Sequence, residues 1–137
     1  MRQEDDYRRG RYVVSVLNVH LVFVTKYRRG VLTGEHLDSL REVFASVCAD
    51  FDAKLVEMDG GDDHVHLLVA YPPTIAVTRL VNSLKGVSAR RLRQRHRVRT
   101  HREHLWSPSY FAASATGAPL ETLKAYIRQQ RIPGRPG

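Results

Sequence analysis

Between Tyr12 and Thr25 the chain is β-branched or apolar at nearly every position. Alternation puts Val13, Leu17, Leu21 and Phe23 on one face of a strand and Val14, Val16, Val22 and Val24 on the other. A strand that is apolar on both faces needs neighbours and cover on both sides, so it is expected in the middle of a sheet. Asn18 and His20 interrupt the second face, which suggests that this side looks toward a wet site.

The rest of the chain supplies the partners of that strand. Thr33 can cap a helix in which Leu37, Leu40, Val43, Phe44, Val47, Cys48 and Phe51 recur at steps of three and four, a single apolar stripe. Ala53 to Met58 and His64 to Tyr71 read as two strands joined by Asp59-Gly60-Gly61-Asp62-Asp63, a hairpin connection. After Pro72-Pro73, Thr74 is expected to open a second helix that turns Val77, Leu80, Val81, Leu84 and Val87 inward. Residues 94 to 104 are arginine-dense and read as a loop or a frayed helix end. Leu105 to Ala113 reads as a strand that Pro108 confines to an edge or a bulge. Pro119 suits the first position of a last helix, about 119–131, which Pro133 and Gly134 end. The order β-α-β-β-α-β-α predicts an α+β fold, a ferredoxin-like and mostly antiparallel sheet with helices packed on it. Residues 1–10 look disordered, and 11–137 are read as one domain, consistent with a length of 137.

No apolar run is long enough to span a bilayer, and MRQEDDYRRGR leads into no secretory-type segment, so no membrane association is expected. Cys48 is the single cysteine; it has no intramolecular partner and is read as a small buried hydrophobe in a cytoplasmic protein. Twenty-two Lys+Arg against fourteen Asp+Glu leave a net charge of +8. From Arg79 to Arg102 nine residues are basic and none is acidic. A solvated helix face normally mixes signs, because like charges four apart destabilise it, so the stripe favours a polyanion such as nucleic acid over a device for solubility.

Two small constellations can carry chemistry. His64 and His66 alternate on a strand and therefore project to one side, a few ångströms apart, where two imidazole nitrogens can share one metal ion. With seven histidines, about 0.35 such pairs arise by chance, so on local grounds two half-buried histidines bonded to their neighbours is the commoner reading. Tyr126 and Gln130, four apart, share one side of the last helix and border its stripe of Leu120, Leu123 and Ile127. An amide oxygen can complete a coordination sphere begun by two histidines, and its hardness suits Mg²⁺ or Mn²⁺. This spacing too arises by chance about 0.2 times, which leaves a helix-edge tyrosine beside a solvated glutamine as the plain alternative.

HVHLLV after a Gly-Asp-Asp turn, an early NVHLVFVTKYRRGVL, a central LVNSLKGVSARRLR, a late LWSPSYF and a closing YIRQQR follow one another from about Tyr12 to Arg131. Together they resemble the single-tyrosine HUH transposases of the smallest bacterial insertion sequences, the IS200/IS605 group, with the REP-associated tyrosine transposases as relatives. The resemblance implies that His64 and His66 are metal ligands, that Gln130 is a third, and that Tyr126 is a nucleophile forming a 5′-phosphotyrosyl link and releasing a 3′-hydroxyl. Asp63 adjoins the pair and is read here as a turn residue rather than one that orients a ligand.

The implied substrate is single-stranded DNA with subterminal hairpins. Lys26, Arg28 and Arg29 after the first strand, with Arg79, Lys85, Arg90, Arg91 and Arg93 of the second helix, are the candidate phosphate contacts. Each contact lowers log K by about 0.7 per decade of salt. One nucleophile per chain and two element ends to process imply a homodimer, in which family members set the tyrosine helix of one subunit against the histidine strand of the other. The small residues Ala112 to Ala118 would permit that exchange. A phenol of pKa near 10 is about one part in a thousand ionised at neutral pH, a deficit of roughly 4 kcal/mol that a cation on the scissile phosphate must help to offset. Two other readings stay open: a domesticated relative that processes repeated chromosomal palindromes, and a non-catalytic nucleic-acid-binding module. A histidine-triad hydrolase is disfavoured because Leu68 stands where its next histidine is required.

Overall fold

The computed structural model describes residues 16–98 and 104–115. The expected disorder of 1–10, the start of the first strand and the helix over 119–131 lie outside the described residues. Strand β1 (Leu17–Val24) is interior, as its two apolar faces require: it pairs with β3 (His64–Tyr71) on one side and with β4 (Phe111–Ser114) on the other. With β2 (Lys54–Gly60) outside β3, the strand order is β2-β3-β1-β4, and every pairing is antiparallel. Helix α1 (Gly34–Asp50) carries the chain from β1 to β2, and α2 (Val77–Arg95) carries it from β3 to β4. Each crossover therefore skips one strand, which is the split-βαβ, ferredoxin-like arrangement that the element order predicts.

Both helices lie on one face of the sheet. Val19, Leu21 and Phe23 of β1 and Val65, Leu67 and Val69 of β3 form one core with Leu40, Val43 and Phe44 of α1 and Leu80, Leu84 and Leu92 of α2. The opposite face carries Asn18, His20, Val22 and Val24 beside their cross-strand partners Ala70, Leu68, His66 and His64. The alternation of β1 thus separates a dry core from the face that holds the histidines.

Helix α1 begins at Thr33, whose hydroxyl accepts the His36 N–H at 3.2 Å while His36 Nδ1 accepts the Thr33 N–H at 3.1 Å. This is a capping box with a histidine in the place usual for Glu or Gln. At its other end Ala53 N–H reaches Cys48 O (2.8 Å) and Asp52 N–H reaches Ala49 O (3.1 Å), with Asp52 at φ 57°. That is a Schellman close in which an aspartate, not a glycine, takes the left-handed position. Cys48 is fully buried, and burial pushes its thiol up to about 12. A thiolate is the reactive species, so an aromatic disulfide reagent should leave the native protein unlabelled and titrate one thiol per chain after denaturation. Rapid native labelling would contradict the buried placement.

Strand β2 runs to Gly60, two residues past Met58, and three larger differences from the sequence reading follow. Thr74 does not open α2; it sits in a turn that Ile75 N–H closes on Pro72 O (3.4 Å), and helical bonding starts with Leu80 N–H to Ala76 O. The turn lets Ile75 pack against the core before the helix begins. At the far end the helix runs to Arg95 in spite of its charge, because Leu92 is buried and anchors the last turn. The edge strand predicted from Leu105 begins only at Phe111. Trp106 makes an isolated bridge to Thr25 and donates its indole N–H to Ser88 Oγ (2.9 Å), and the ladder resumes beyond Pro108 opposite Val22. Leu105 and Trp106 serve as core residues, both nearly sequestered from solvent. Among the described residues no helix is long and apolar enough to cross a membrane.

Candidate active site

His64 and His66 project to the same side of β3, opposite Val24 and Val22 of β1. Their ring centroids are 4.9 Å apart with planes at 81°, and both side chains are buried, at 5% and 1% exposure. Burial of two basic rings without obvious apolar work invites the question of what each nitrogen meets.

For His64 the answer is Asp63. Its Oδ1 lies 2.9 Å from His64 Nδ1, so the ring donates its Nδ1–H to the carboxylate and turns Nε2 away from Asp63. Asp63 is itself fixed: Arg28 Nε stands 3.4 Å from Oδ2, and the Asp63 carbonyl accepts from Thr25 N–H (2.9 Å) and lies 3.2 Å from the Thr25 hydroxyl. Asp63 therefore does both jobs, closing the turn and orienting a ring, where the sequence reading gave it only the first. Gly61 makes room for this ring. A Cβ there would fall 2.9 Å from His64 Cε1 and 3.4 Å from Nδ1. Gly61→Ala should fold but push the imidazole off Asp63, and if the pair takes Mn²⁺ its affinity in a calorimetric titration should fall by roughly 10- to 100-fold, as loss of an outer-shell partner does. Unchanged affinity would show that the ring needs no such cradle.

His66 has the opposite environment. Both of its ring nitrogens are buried with no hydrogen-bond partner among the described residues. Its pKa is pushed down to about 4 by burial first, then by the charges His64 and His20 would carry, with Asp59 opposing weakly. The ring is neutral at physiological pH and holds a free lone pair. Leaving a buried donor or acceptor unmet costs about 1–3 kcal/mol, so such a group calls for a partner, such as an ion or a water. Two imidazoles, one held in the Nε2-accepting tautomer and one wholly unmet, fit a divalent cation. Among the described residues no group of three His, Cys, Asp or Glu could hold a metal, so the two imidazoles alone are an incomplete ligand set. Gln130 and Tyr126 lie outside the described residues.

Sequence reasoning noticed His20 but gave it no role. Its ring stacks on His66 at 5.7 Å and 25°, and burial lowers its pKa. The signal was present as the break in alternation on β1. Asn18, the other half of that break, has its Oδ1 buried with no hydrogen-bond partner among the described residues.

The candidate phosphate contacts fall into two sets. Lys26, Arg28 and Arg29 occupy a 3₁₀ turn (Lys26–Arg28 and its cap) that adjoins the histidine strand through Arg28 and Asp63. Tyr27 and Arg28 sit at φ 60° and 53°, left-handed values that are uncommon for such side chains; Arg28 N–H to Thr25 O (2.8 Å) and Thr25 Oγ1 to Arg29 O (2.7 Å) hold the turn. Arg79, Lys85, Arg90, Arg91 and Arg93 belong to α2, which packs on the other face of the sheet from the two imidazoles. Arg90 and Arg91 are exposed, and the Arg79 guanidinium lies over the Phe51 ring at 5.9 Å. The Lys85 ammonium donates to Ser107 O (2.7 Å) and Pro108 O (3.3 Å), so it braces the segment before β4. Arg93 and His104 line an open cleft of about 330 Å³ beside Trp106.

The chain is similar to known proteins along most of its length. Residues 13–130 match the family described as IS200-like transposases. The chain is 32% identical to the ISDra2 transposase TnpA of Deinococcus radiodurans over 128 residues, 91% of each protein. It is 25% identical to the transposase for insertion sequence element IS200 of Salmonella typhimurium over 114 residues, 81% of this chain and 74% of that one. Among solved structures, a Deinococcus radiodurans chain described as a transposase superposes with a TM-score of 0.69 at 29% identity, covering 93% of this chain and 95% of that one. A REP-associated tyrosine transposase bound to a REP hairpin shares the fold, with a TM-score of 0.60 at 12% identity over 81% of this chain and 62% of that one.

Proposed function

The chain belongs to the IS200-like transposases, DNA-cleaving enzymes of insertion sequences, and from that premise we propose that it cuts and rejoins single-stranded DNA through a 5′-phosphotyrosine on Tyr126. The observation that carries the reading is His66: a neutral, buried imidazole with no hydrogen-bond partner among the described residues, beside a second imidazole that Asp63 holds by Nδ1.

His64 and His66 would hold Mg²⁺ or Mn²⁺ together with Gln130. Bound there, the cation would supply charge neutralisation and orientation to the scissile phosphate. Tyr126, four residues before Gln130 in the sequence and so expected on the same side of a helix, would bring its phenolic oxygen to the same phosphate. The phosphodiester energy is kept in the tyrosyl link, so a 3′-hydroxyl later reverses the attack and joins strands without a nucleotide cofactor. Asp63 fixes the His64 tautomer, and Arg28 ties the Lys26–Arg29 turn to it, placing cations where a strand enters. The sequence recognised would be single-stranded ends carrying hairpins. A homodimer supplies two active sites for two ends, with each tyrosine helix serving the histidine strand of its partner.

The test is direct. Purified protein is incubated with Mn²⁺ or Mg²⁺ and single-stranded DNA from the borders of its gene, and a denaturation-resistant adduct is sought and mapped by mass spectrometry. The expected adduct lies on Tyr126, requires the divalent ion and does not form with the duplex of the same sequence. An adduct on another residue, or one that persists in excess chelator, overturns the proposed chemistry.

A further inference from the structure

Few large apolar side chains of the described residues stand in solvent, and one of them is on the histidine face of the sheet. Phe111, at 53% exposure, opens β4 and pairs with Val22, which pairs on its other side with His66. Cross-strand partners project to the same side, so Phe111 and His66 share a face with one strand between them. The rings connect: His64 and His66 at 4.9 Å, His66 and His20 stacked at 5.7 Å, His20 and Phe111 edge to face at 5.7 Å. A row of rings thus runs from the buried imidazole pair to β4, the outer strand of the described sheet, and it ends in a half-exposed phenyl.

We infer that Phe111 is a stacking platform for a base of the DNA strand whose phosphate lies at His64 and His66. This assignment rests on the single-strand cleavage proposed above and names a residue that fixes the strand rather than one that reacts. A strand crossing this face with its phosphate at the imidazoles has its next bases within roughly one to three nucleotides of Phe111. Every base offers a π-face, so such a contact holds the strand without reading its sequence. The neighbouring side chains favour an uncharged flat partner: Ala113 and Ala115 follow on the same side of the chain, and the exposed positions of β4 carry no charge.

The full chain is compared with Phe111→Ala, Phe111→Leu and Phe111→Trp in Mn²⁺, using single-stranded oligonucleotides that carry 2-aminopurine one to three positions from the cleaved phosphate. Binding of the unaltered protein and of Phe111→Trp should change the 2-aminopurine emission at one of these positions. Phe111→Ala and Phe111→Leu should lose that change and bind the single strand roughly 5- to 100-fold more weakly, with affinity for an isolated hairpin unaltered. Equal emission and affinity for Phe111→Ala overturn the assignment, as does full retention by Phe111→Leu, which keeps apolar bulk without a ring. A shift of Phe111→Ala to a smaller oligomer in light scattering also overturns it, because the ring would then cover a second copy of the chain. If the unaltered protein neither binds single strands nor forms the tyrosyl adduct, the proposed function falls first; if it does both and Phe111→Ala matches it, only the platform falls.

Discussion

Replacing His66 by leucine is expected to yield a protein that is more stable without metal and inactive in strand cleavage. The two effects have one origin. In the native fold the imidazole occupies a site at 1% exposure where neither nitrogen finds a hydrogen-bond partner among the described residues. Leucine is of similar size and has nothing to satisfy, so the desolvation cost of about 1–3 kcal/mol disappears, and the unfolding temperature should rise by roughly 2–8 °C. Formation of the tyrosyl adduct should fall by on the order of 10³-fold or more, since several kcal/mol of charge stabilisation at the phosphate is lost. Millimolar Mn²⁺ should raise the unfolding temperature of the unaltered protein and leave that of His66→Leu where it was. A lower melting temperature for the variant would identify His66 as a structural histidine with an unrecognised partner. Calorimetry with and without Mn²⁺, run beside the adduct assay, reads all three effects. A stabilising substitution that abolishes activity is what a site maintained against the stability of the fold should give.

The parts of this architecture that were legible in the sequence are those where one physical requirement governs many residues. Strand β1 had to be central because both of its faces are largely apolar, broken only by Asn18 and His20 on one of them, and the structure places it between β3 and β4. Helix α1 was legible because a single stripe and a capping threonine agree on its position. The split-βαβ topology then followed from element order. Where the reading failed, a tertiary contact outweighed local composition. Leu92 reaches the core and carries α2 through an arginine-rich end that composition alone marks as loop. The Trp106 indole bonds to Ser88 across the core, and with Pro108 it delays the edge strand until Phe111.

The site divides in the same way. His-x-His on a strand declares its geometry, because alternation alone fixes both rings on one side, and the structure brings them to 4.9 Å. The contribution of Asp63 could not be read, since a turn aspartate and an aspartate that orients a histidine have the same local sequence and differ only in where Oδ1 points. His20 is a middle case. Its break in the alternation predicted a wet side, and the structure shows it packed on the second imidazole, which no spacing rule links across 46 residues of chain. The assignment of phosphate contacts by composition treated all basic residues alike. Geometry separates them, because Arg28 meets Asp63 while Lys85 is engaged with two carbonyls behind the sheet.

The histidine face can be specific only if the opposite face holds the sheet in register, and Phe23 tests that dependence. It is fully buried on β1, one residue beyond Val22 and on the other side of the strand, and it meets Phe44 of α1 at 6.0 Å, Trp106 at 5.8 Å and Tyr110 at 6.4 Å. These three rings come from the helix layer and from the segment that leads into β4. Phe23→Ala should cost about 3–5 kcal/mol, from the lost transfer energy and the cavity left behind, with the aromatic pairs adding to it. That is a large share of the roughly 5–15 kcal/mol that holds a domain folded, so the midpoint of urea unfolding should fall steeply. The chemistry, by contrast, should survive wherever the chain is folded, because the Phe23 ring packs into the core, on the opposite side of the strand from His20. At low temperature the adduct should still form on Tyr126, and as temperature rises activity should vanish together with the near-ultraviolet circular dichroism of the core. Loss of adduct formation while the core remains folded would show that Phe23 acts on the site itself, through the position of β1 beneath His20 and His66.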